Sequence, residues 1–547
     1  MTPDTENHPG PAEELPPQAV PGDRPQDADL SRVVTFMSKM EVVEPGLVRA
    51  IRCYHALADC GVALRCSGSS DLLASVYSKS QMVEEIEEFW SHSWHTPAWK
   101  KILCLMILKN SLPATLLSTL VSFLAALCSY LDILPPVLMP ASTSCRVCGV
   151  ETYLWSQFFG MISFCFLLIF WRNRRRIFLD CSCIDQRNSD RKVKAIRSIG
   201  GILKQSQRLL LLWDPTYVER FWCTFELAAF VKSHGGSKAV QIQPILLGHF
   251  FLALYFSVFV VALVTASFAA QNVRGVEATG GTAVAVFVVM YLAIAECRRY
   301  YHSLDVLNEQ LLTFKVCNTK CWCCSCDHLT PSGQVLPCDR EIVSRCLNEW
   351  FGSVEGFETA AMAELASASK AQMGRQVFPW SMLLSSTVPV VWLCLDMAVS
   401  YEKDGQEGAR NHWLVVSIAY WLGSLPITAA WIFWVAKTFR KPIRRSKCCD
   451  RLATVLVLAS AIPVFLVAFA LPSLMDYQKW IRNMNAQVAT AAGILAPIGI
   501  LLWQPLRCWR KVHDDAGKGE DQEVEEAEDN YPPSDRPDEL GPPTLQL

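Results

Sequence analysis

Cys317, Cys321, Cys323, Cys324, Cys326, His328 and Cys338 crowd into one short stretch of the chain. Two CxxC pairs overlap there, 321/324 and 323/326, and that spacing lets two thiolates reach one soft metal ion. Cys321, Cys324, His328 and Cys338 form the candidate ligand set for a small tetrahedral zinc site, in which the second pair of ligands is the less sharply defined. Two other states fit the same residues. Cysteines beside a membrane segment and near Trp322 are sites for acylation, and unmodified thiols need no partner at all. A second group with chemical positions is Ser91, Asp180 and Trp213, each at the end of a short apolar run. If those runs are parallel strands of a doubly wound sheet, their carboxyl ends open onto a ligand crevice. Each also has a structural reading: Asp180 caps the following turn, Ser91 bonds backbone, and Trp213 sits in a core.

The elements that would hold these residues lie around Arg176 to Val231, the one long stretch that reads as a soluble α/β unit. Apolar runs at Arg176 to Asp180 and Arg208 to Trp213 have strand length, and Val193, Ile196, Ile199 and Leu203 recur between them at helical spacing. Asp214 and Pro215 then turn the chain. Thr216 and Glu219 are spaced as a capping box, and Val218, Phe221, Trp222 and Phe225 supply an apolar helix face. Upstream, FWSHSW at Phe89 to Trp94 reads as a short strand and Pro97 to Asn110 as an amphipathic helix. Parallel strands at 89–94, 176–180, 208–213 and 239–245, with crossover helices at 97–110, 191–205 and 217–233, complete a small doubly wound sheet.

The rest of the chain is membrane-like. Hydrophobic residues make up 51% and charged residues 19% of the 547 positions, a balance suited to a bilayer. The formal charge of −2 offers no field for a nucleic acid. Eight apolar runs reach the roughly 20 residues that a crossing takes: 112–134, 152–171, 245–269, 281–297, 378–400, 412–436, 451–473 and 487–506. Basic residues gather after every second run, at Arg172 to Arg176, Arg298 and Arg299, Lys437 to Lys447, and Arg507 to Lys511. Because Lys and Arg stay on the cytosolic side, both termini and the α/β unit are expected in the cytosol, with the first two runs forming a hairpin inserted into that unit. Asp132, Glu296 and Asp396 lie close enough to span ends to reach the interface, which argues against a conduction path. Residues 1–30 and 512–547 read as disordered tails, 31–88 as a partly helical region, and 339–376 as two further helices.

SHSW, an IFLD strand, a long helix, then LLLLW, a DPTY turn and WCTFELAAF together resemble a diverged TIR (Toll/interleukin-1 receptor) domain, a flavodoxin-like α/β fold. The resemblance covers about 89–110 and 172–245, with WCTFEL its most specific part, and extends to a group of multi-pass TIR-like membrane proteins of unicellular eukaryotes. The strand-to-helix connection CSCIDQRNSD lacks the glycine-bearing acidic loop common in TIR domains that assemble through it. The resemblance implies an NAD glycohydrolase in which Glu226 is the catalytic carboxylate, with Ser91, Asp180, Trp213 and Trp222 as candidates for binding NAD. It also implies self-association with other TIR-like domains. On a helical wheel Trp222, Cys223 and Phe230 flank Glu226, an apolar setting that would raise its pKa; pairing with Arg220 or Arg208 is the structural alternative. The expectation is therefore a multi-pass, mainly α-helical membrane protein with a split cytosolic α/β domain, acting as an NAD glycohydrolase or as a non-catalytic signalling scaffold. A transporter is a third reading.

Overall fold

The computed structural model describes residues 27–65, 70–137, 151–271, 276–328, 338–367, 369, 378–442 and 447–477. Among these residues one sheet has six strands: β1 (Arg49–Arg52), β2 (Gln81–Met82), β3 (Glu88–His92), β4 (Arg176–Phe178), β5 (Leu209–Trp213) and β6 (Val240–Pro244). Their order is β2-β1-β4-β3-β5-β6. The four strands expected from the sequence pair in parallel, with Phe89 opposite both Phe178 and Leu209, and Leu211 opposite Ile242. Taken alone they have the 2-1-3-4 order of a flavodoxin-like sheet, whose topological switch lies between β3 and β5. β3 and β5 are buried at every position, as strands covered on both faces must be.

The sheet is mixed rather than wholly parallel. Region 31–88, expected to be partly helical, also supplies β1 and β2: β1 runs antiparallel to β4 and β2 antiparallel to β1. A four-residue RAIR strand carries too little periodicity to declare itself, and its hydrogen bonds come from a distant partner. Two helix expectations also change. The helix predicted over 191–205 is broken at Ser198 into Ser189–Arg197 and Ile199–Lys204. Gly201 sits there against Glu41, and a Cβ would lie 2.7 Å from that residue's carbonyl carbon. The capping box predicted at Thr216 and Glu219 does not form, because the helix starts later, at Phe221–Ser233. Thr216 Oγ1 instead bonds Asp214 at 2.9 Å and Ser93 Oγ at 2.8 Å, while Glu219 pairs with Lys320 at 2.6 Å.

Five helices among the described residues contain segments long and apolar enough to cross a bilayer: Ala98–Tyr130, Leu247–Ala266, Trp380–Lys403, Glu407–Thr438 and Lys447–Ala468. The chain is an integral membrane protein on that ground. Trp155–Phe170, the second expected span, is a shorter apolar helix of 16 residues, about 24 Å long against a hydrocarbon core of about 30 Å. The fourth expected span, 281–297, lies within the helix Val276–Leu312. The eighth, 487–506, falls outside the described residues, as do tail residues 1–26 and the tail 512–547; Asp27–Ser38 is already helical. The amphipathic helix and the first span are one continuous helix, Ala98–Tyr130, with Pro113 inside it.

That helix and Trp155–Phe170 pack as the hairpin between β3 and β4. Leu116, Leu120, Phe123 and Leu124 on one helix, with Phe158, Ile162, Phe166 and Ile169 on the other, are exposed and suited to lipid. Small and polar side chains fill the inside, including Ser118, Ser122, Ser129 and Ser156. Asp396, expected near a span end, is wholly buried within the protein. Its two oxygens accept from the backbone N–H groups of Ser156 at 2.9 Å and Gln157 at 3.0 Å, at the start of Trp155–Phe170. Helix-start N–H groups in an apolar medium need such an acceptor.

The hairpin is tied to the sheet by Glu88, the first residue of β3, which is almost fully buried. Its carboxylate accepts from Lys109 at 2.5 Å on the ascending helix, from Arg175 at 2.9 Å after the descending one, and from the Trp90 indole at 3.0 Å. Burial pushes the Glu88 carboxyl up, but those cations and the indole N–H outweigh it, and the group titrates below its ordinary value.

Candidate functional site

β3 ends at His92, β4 leads into Asp180, and the Phe221–Ser233 helix crosses above the sheet, so three chain segments converge at the carboxyl edge of the parallel strands. A cavity of about 160 Å³ opens between them, beside the switch point. Trp90, His92, Trp94, Asp180, Arg220, Trp222 and Glu226 are among its lining residues. Three of the five sequence-predicted residues thus meet in one crevice: Asp180, Trp222 and Glu226.

Glu226 holds its place through β3. Ser91 Oγ donates to Glu226 Oε2 at 2.5 Å, and the buried Tyr217 hydroxyl lies 2.7 Å from the same Ser91 oxygen. With the serine proton directed at the carboxylate, Tyr217 is the donor to Ser91. Ser91 therefore belongs to the site as a support beneath the carboxylate. Trp213 does not reach the crevice: it is buried at the end of β5, its ring 5.7 Å from that of Tyr217.

The alternative in which Arg220 neutralises Glu226 does not match the geometry. The Arg220 guanidinium lies over the exposed Trp94 ring, 5.0 Å from its centroid, and donates to the His92 carbonyl at 3.3 Å. Glu226 is pushed up to about 7, mainly by burial; the Ser91 hydrogen bond opposes this, the like charge of Asp180 adds to it, and Arg220 opposes it from a distance. A carboxyl so poised exchanges its proton near neutrality.

Two further residues of the crevice, Trp94 and His92, were not picked out from the sequence, and Arg220 was expected only as an alternative partner of Glu226. Trp94 donates its indole N–H to Asp180 Oδ2 at 2.9 Å and carries Arg220 on its face, so the aromatic, the acid and the cation form one rim. His92 is buried and held neutral, pushed down to about 4 by desolvation. Its Nε2 has no hydrogen-bond partner among the described residues, an unmet capacity beside a cavity that invites a ligand. The SHSW alternation was visible, but the neighbours of His92, Trp94 and Arg220 come from strands and helices remote in sequence.

The cysteine cluster lies next to this crevice and differs at one position from the expected set. Cys323, Cys324, His328 and Cys338 bring one ligand atom each to within 4.8 Å of one another. Cys321, expected as a ligand, falls instead in a group with Cys323 and Asp339, its sulfur 3.1 Å from that of Cys323. Overlapping CxxC pairs leave this choice open; the fold of the turn makes it. The Trp222 indole N–H donates to Asp339 Oδ2 at 3.2 Å, joining the cluster to the crevice wall.

No family model, curated protein or solved structure matches the chain.

Proposed function

We propose that this multi-pass membrane protein presents a TIR-like domain to the cytosol and cleaves NAD there, in signalling, with Glu226 as the working carboxylate. The observation that carries this reading is a carboxylate in an aromatic-lined crevice, supported by Ser91 and not paired with an arginine. A scaffold needs no such crevice, and its carboxylate would gain from the cation close by.

The proposed reaction breaks the bond between the ribose and the nicotinamide nitrogen. Nicotinamide leaves with the bonding pair, the ribose acquires oxocarbenium character, and water adds to give ADP-ribose and a proton. An ionised Glu226 opposes the developing positive charge or holds the ribose hydroxyls. Trp94 and Trp222 offer faces for the leaving ring, His92 Nε2 a hydrogen-bonding atom, and Arg220 a cation for the phosphates. The cavity is below the usual range of about 300–1,000 Å³, so it takes the nicotinamide end while the remainder crosses the rim.

The test is NAD consumption by purified, detergent-solubilised protein beside Glu226→Gln, under conditions that promote assembly. Turnover lost in the variant is the expected result. Absence of turnover in the parent, or equal turnover in both, returns the domain to a non-catalytic signalling role.

A further inference from the structure

We infer that Cys323, Cys324, His328 and Cys338 bind one structural zinc ion that closes the Cys-rich turn onto the start of the Asp339–Phe351 helix, beside the helix that carries Glu226. This inference is independent of the reaction proposed above.

The sulfur spacings fit the metal. Cys323 and Cys324 Sγ lie 4.0 Å apart and Cys324 and Cys338 Sγ 3.9 Å apart. A tetrahedron with Zn–S bonds of about 2.3 Å has edges of about 3.8 Å. Three thiolates and an imidazole make a soft set that selects zinc over hard cations, and four protein ligands leave no open position for catalysis.

The turn itself is shaped to bring His328 back. Asp327 and His328 take φ of 52° and 60°, a left-handed pair that non-glycine residues adopt at a cost. The His328 N–H then donates to the Cys323 carbonyl at 2.8 Å. Nδ1 of this His is buried and without a hydrogen-bond partner among the described residues. A strained turn that ends on an imidazole among three sulfurs is accounted for by an ion that draws on all four.

The surroundings suit a charged centre. The Asp339 N–H donates to Cys323 Sγ at 3.3 Å, and Cys321 Sγ lies 3.1 Å from the same sulfur, placed to donate its thiol proton. Such outer contacts orient and stabilise metal thiolates. Just upstream, Lys320 N–H donates to the Glu219 carbonyl at 2.6 Å and Phe221 N–H to the Lys320 carbonyl at 3.3 Å. Cys323, the first of the four ligands, therefore follows by three residues a bridge onto the beginning of the Phe221–Ser233 helix.

The experiment measures metal content in the full-length protein, purified in detergent without chelators. About one zinc per chain is expected. Cys323→Ser and Cys338→Ser should lose it, while Cys317→Ser and Cys321→Ser retain it. Cobalt exchanged into the parent protein should give intense tetrahedral d–d bands with thiolate charge transfer, a readout that does not depend on any variant folding. Chelation should lower the melting temperature by several degrees. Zinc far below one per chain, an octahedral cobalt spectrum without thiolate charge transfer, or loss of zinc in Cys321→Ser with retention in Cys323→Ser would overturn the assignment.

Discussion

Ser91 and Glu226, 135 positions apart, share a 2.5 Å hydrogen bond that joins the first parallel strand to the helix after the third. The bond favours the ionised carboxylate and so restrains the rise that burial imposes. Its removal fixes the sign of a first prediction. In Ser91→Ala the Glu226 pKa moves further above about 7, by roughly one unit for the loss of one hydrogen bond to a charged group. If NAD cleavage needs the ionised form, the rising acidic limb of its pH–rate profile shifts to higher pH by that amount. A profile that keeps its midpoint while losing amplitude would remove Ser91 from this role.

Glu226 also sets a pH dependence of stability. Its folded pKa of about 7 exceeds the ordinary 4.5, so between those values the folded state binds more protons than the unfolded one, and stability falls as pH rises. Glu226→Gln removes that cost. The variant should be the more stable at pH 8, by on the order of 3 kcal/mol, with the gap closing toward pH 4. Thermal melts of both proteins across that range are the measurement, and a gap that is constant with pH contradicts the assignment.

Glu88 makes a stronger stability demand. Glu88→Ala strands Lys109, whose side chain is 7% exposed, and breaking a buried pair costs about 3–5 kcal/mol. The surface pair Lys194–Glu44, with side chains 45% and 50% exposed, serves as the control, since exposed pairs contribute about 0–1 kcal/mol. Chemical denaturation in detergent should separate the two variants by most of that difference.

Gly160 tests the packing of the hairpin. A Cβ there would stand 2.4 Å from Ser122 Oγ and 2.6 Å from Trp392 Cδ2, so the helix Trp155–Phe170 meets both neighbours at this point without room for a methyl group. Gly160→Leu should destabilise the fold by about 1–3 kcal/mol or more. Protease protection of the region between β3 and β4 should fall with it, whereas Gly235→Ala, in open space but at φ +61°, should leave that protection intact.

Much of the sheet was legible because runs such as LLLLW are too apolar and too short to be anything but buried strands, and the turns after them carry Asp and Pro. β1 was not, because Arg49–Arg52 alternates no clear faces and owes its strand character to Ile177 and Arg176 across the ladder. The carboxylate of the crevice could be singled out by the WCTFEL segment. Its partners could not: whether Arg220 meets Glu226 or Trp94 depends on the late helix start at Phe221. In the same way, Cys321 and Cys323 have equal standing by spacing, and the left-handed turn at Asp327 and His328 distinguishes them.

The two halves of the crevice lie on opposite sides of the apolar hairpin, Ser91 before it and Glu226 after it. During synthesis β3 emerges before both of its neighbours in the sheet, β4 and β5, and stays unpaired until both apolar helices have been made. A chain halted before the hairpin is inserted carries Ser91 without its acid, and excision of the hairpin removes Lys109 from Glu88. Assembly of the crevice therefore waits on both apolar helices having been made, and a polypeptide truncated between them lacks it.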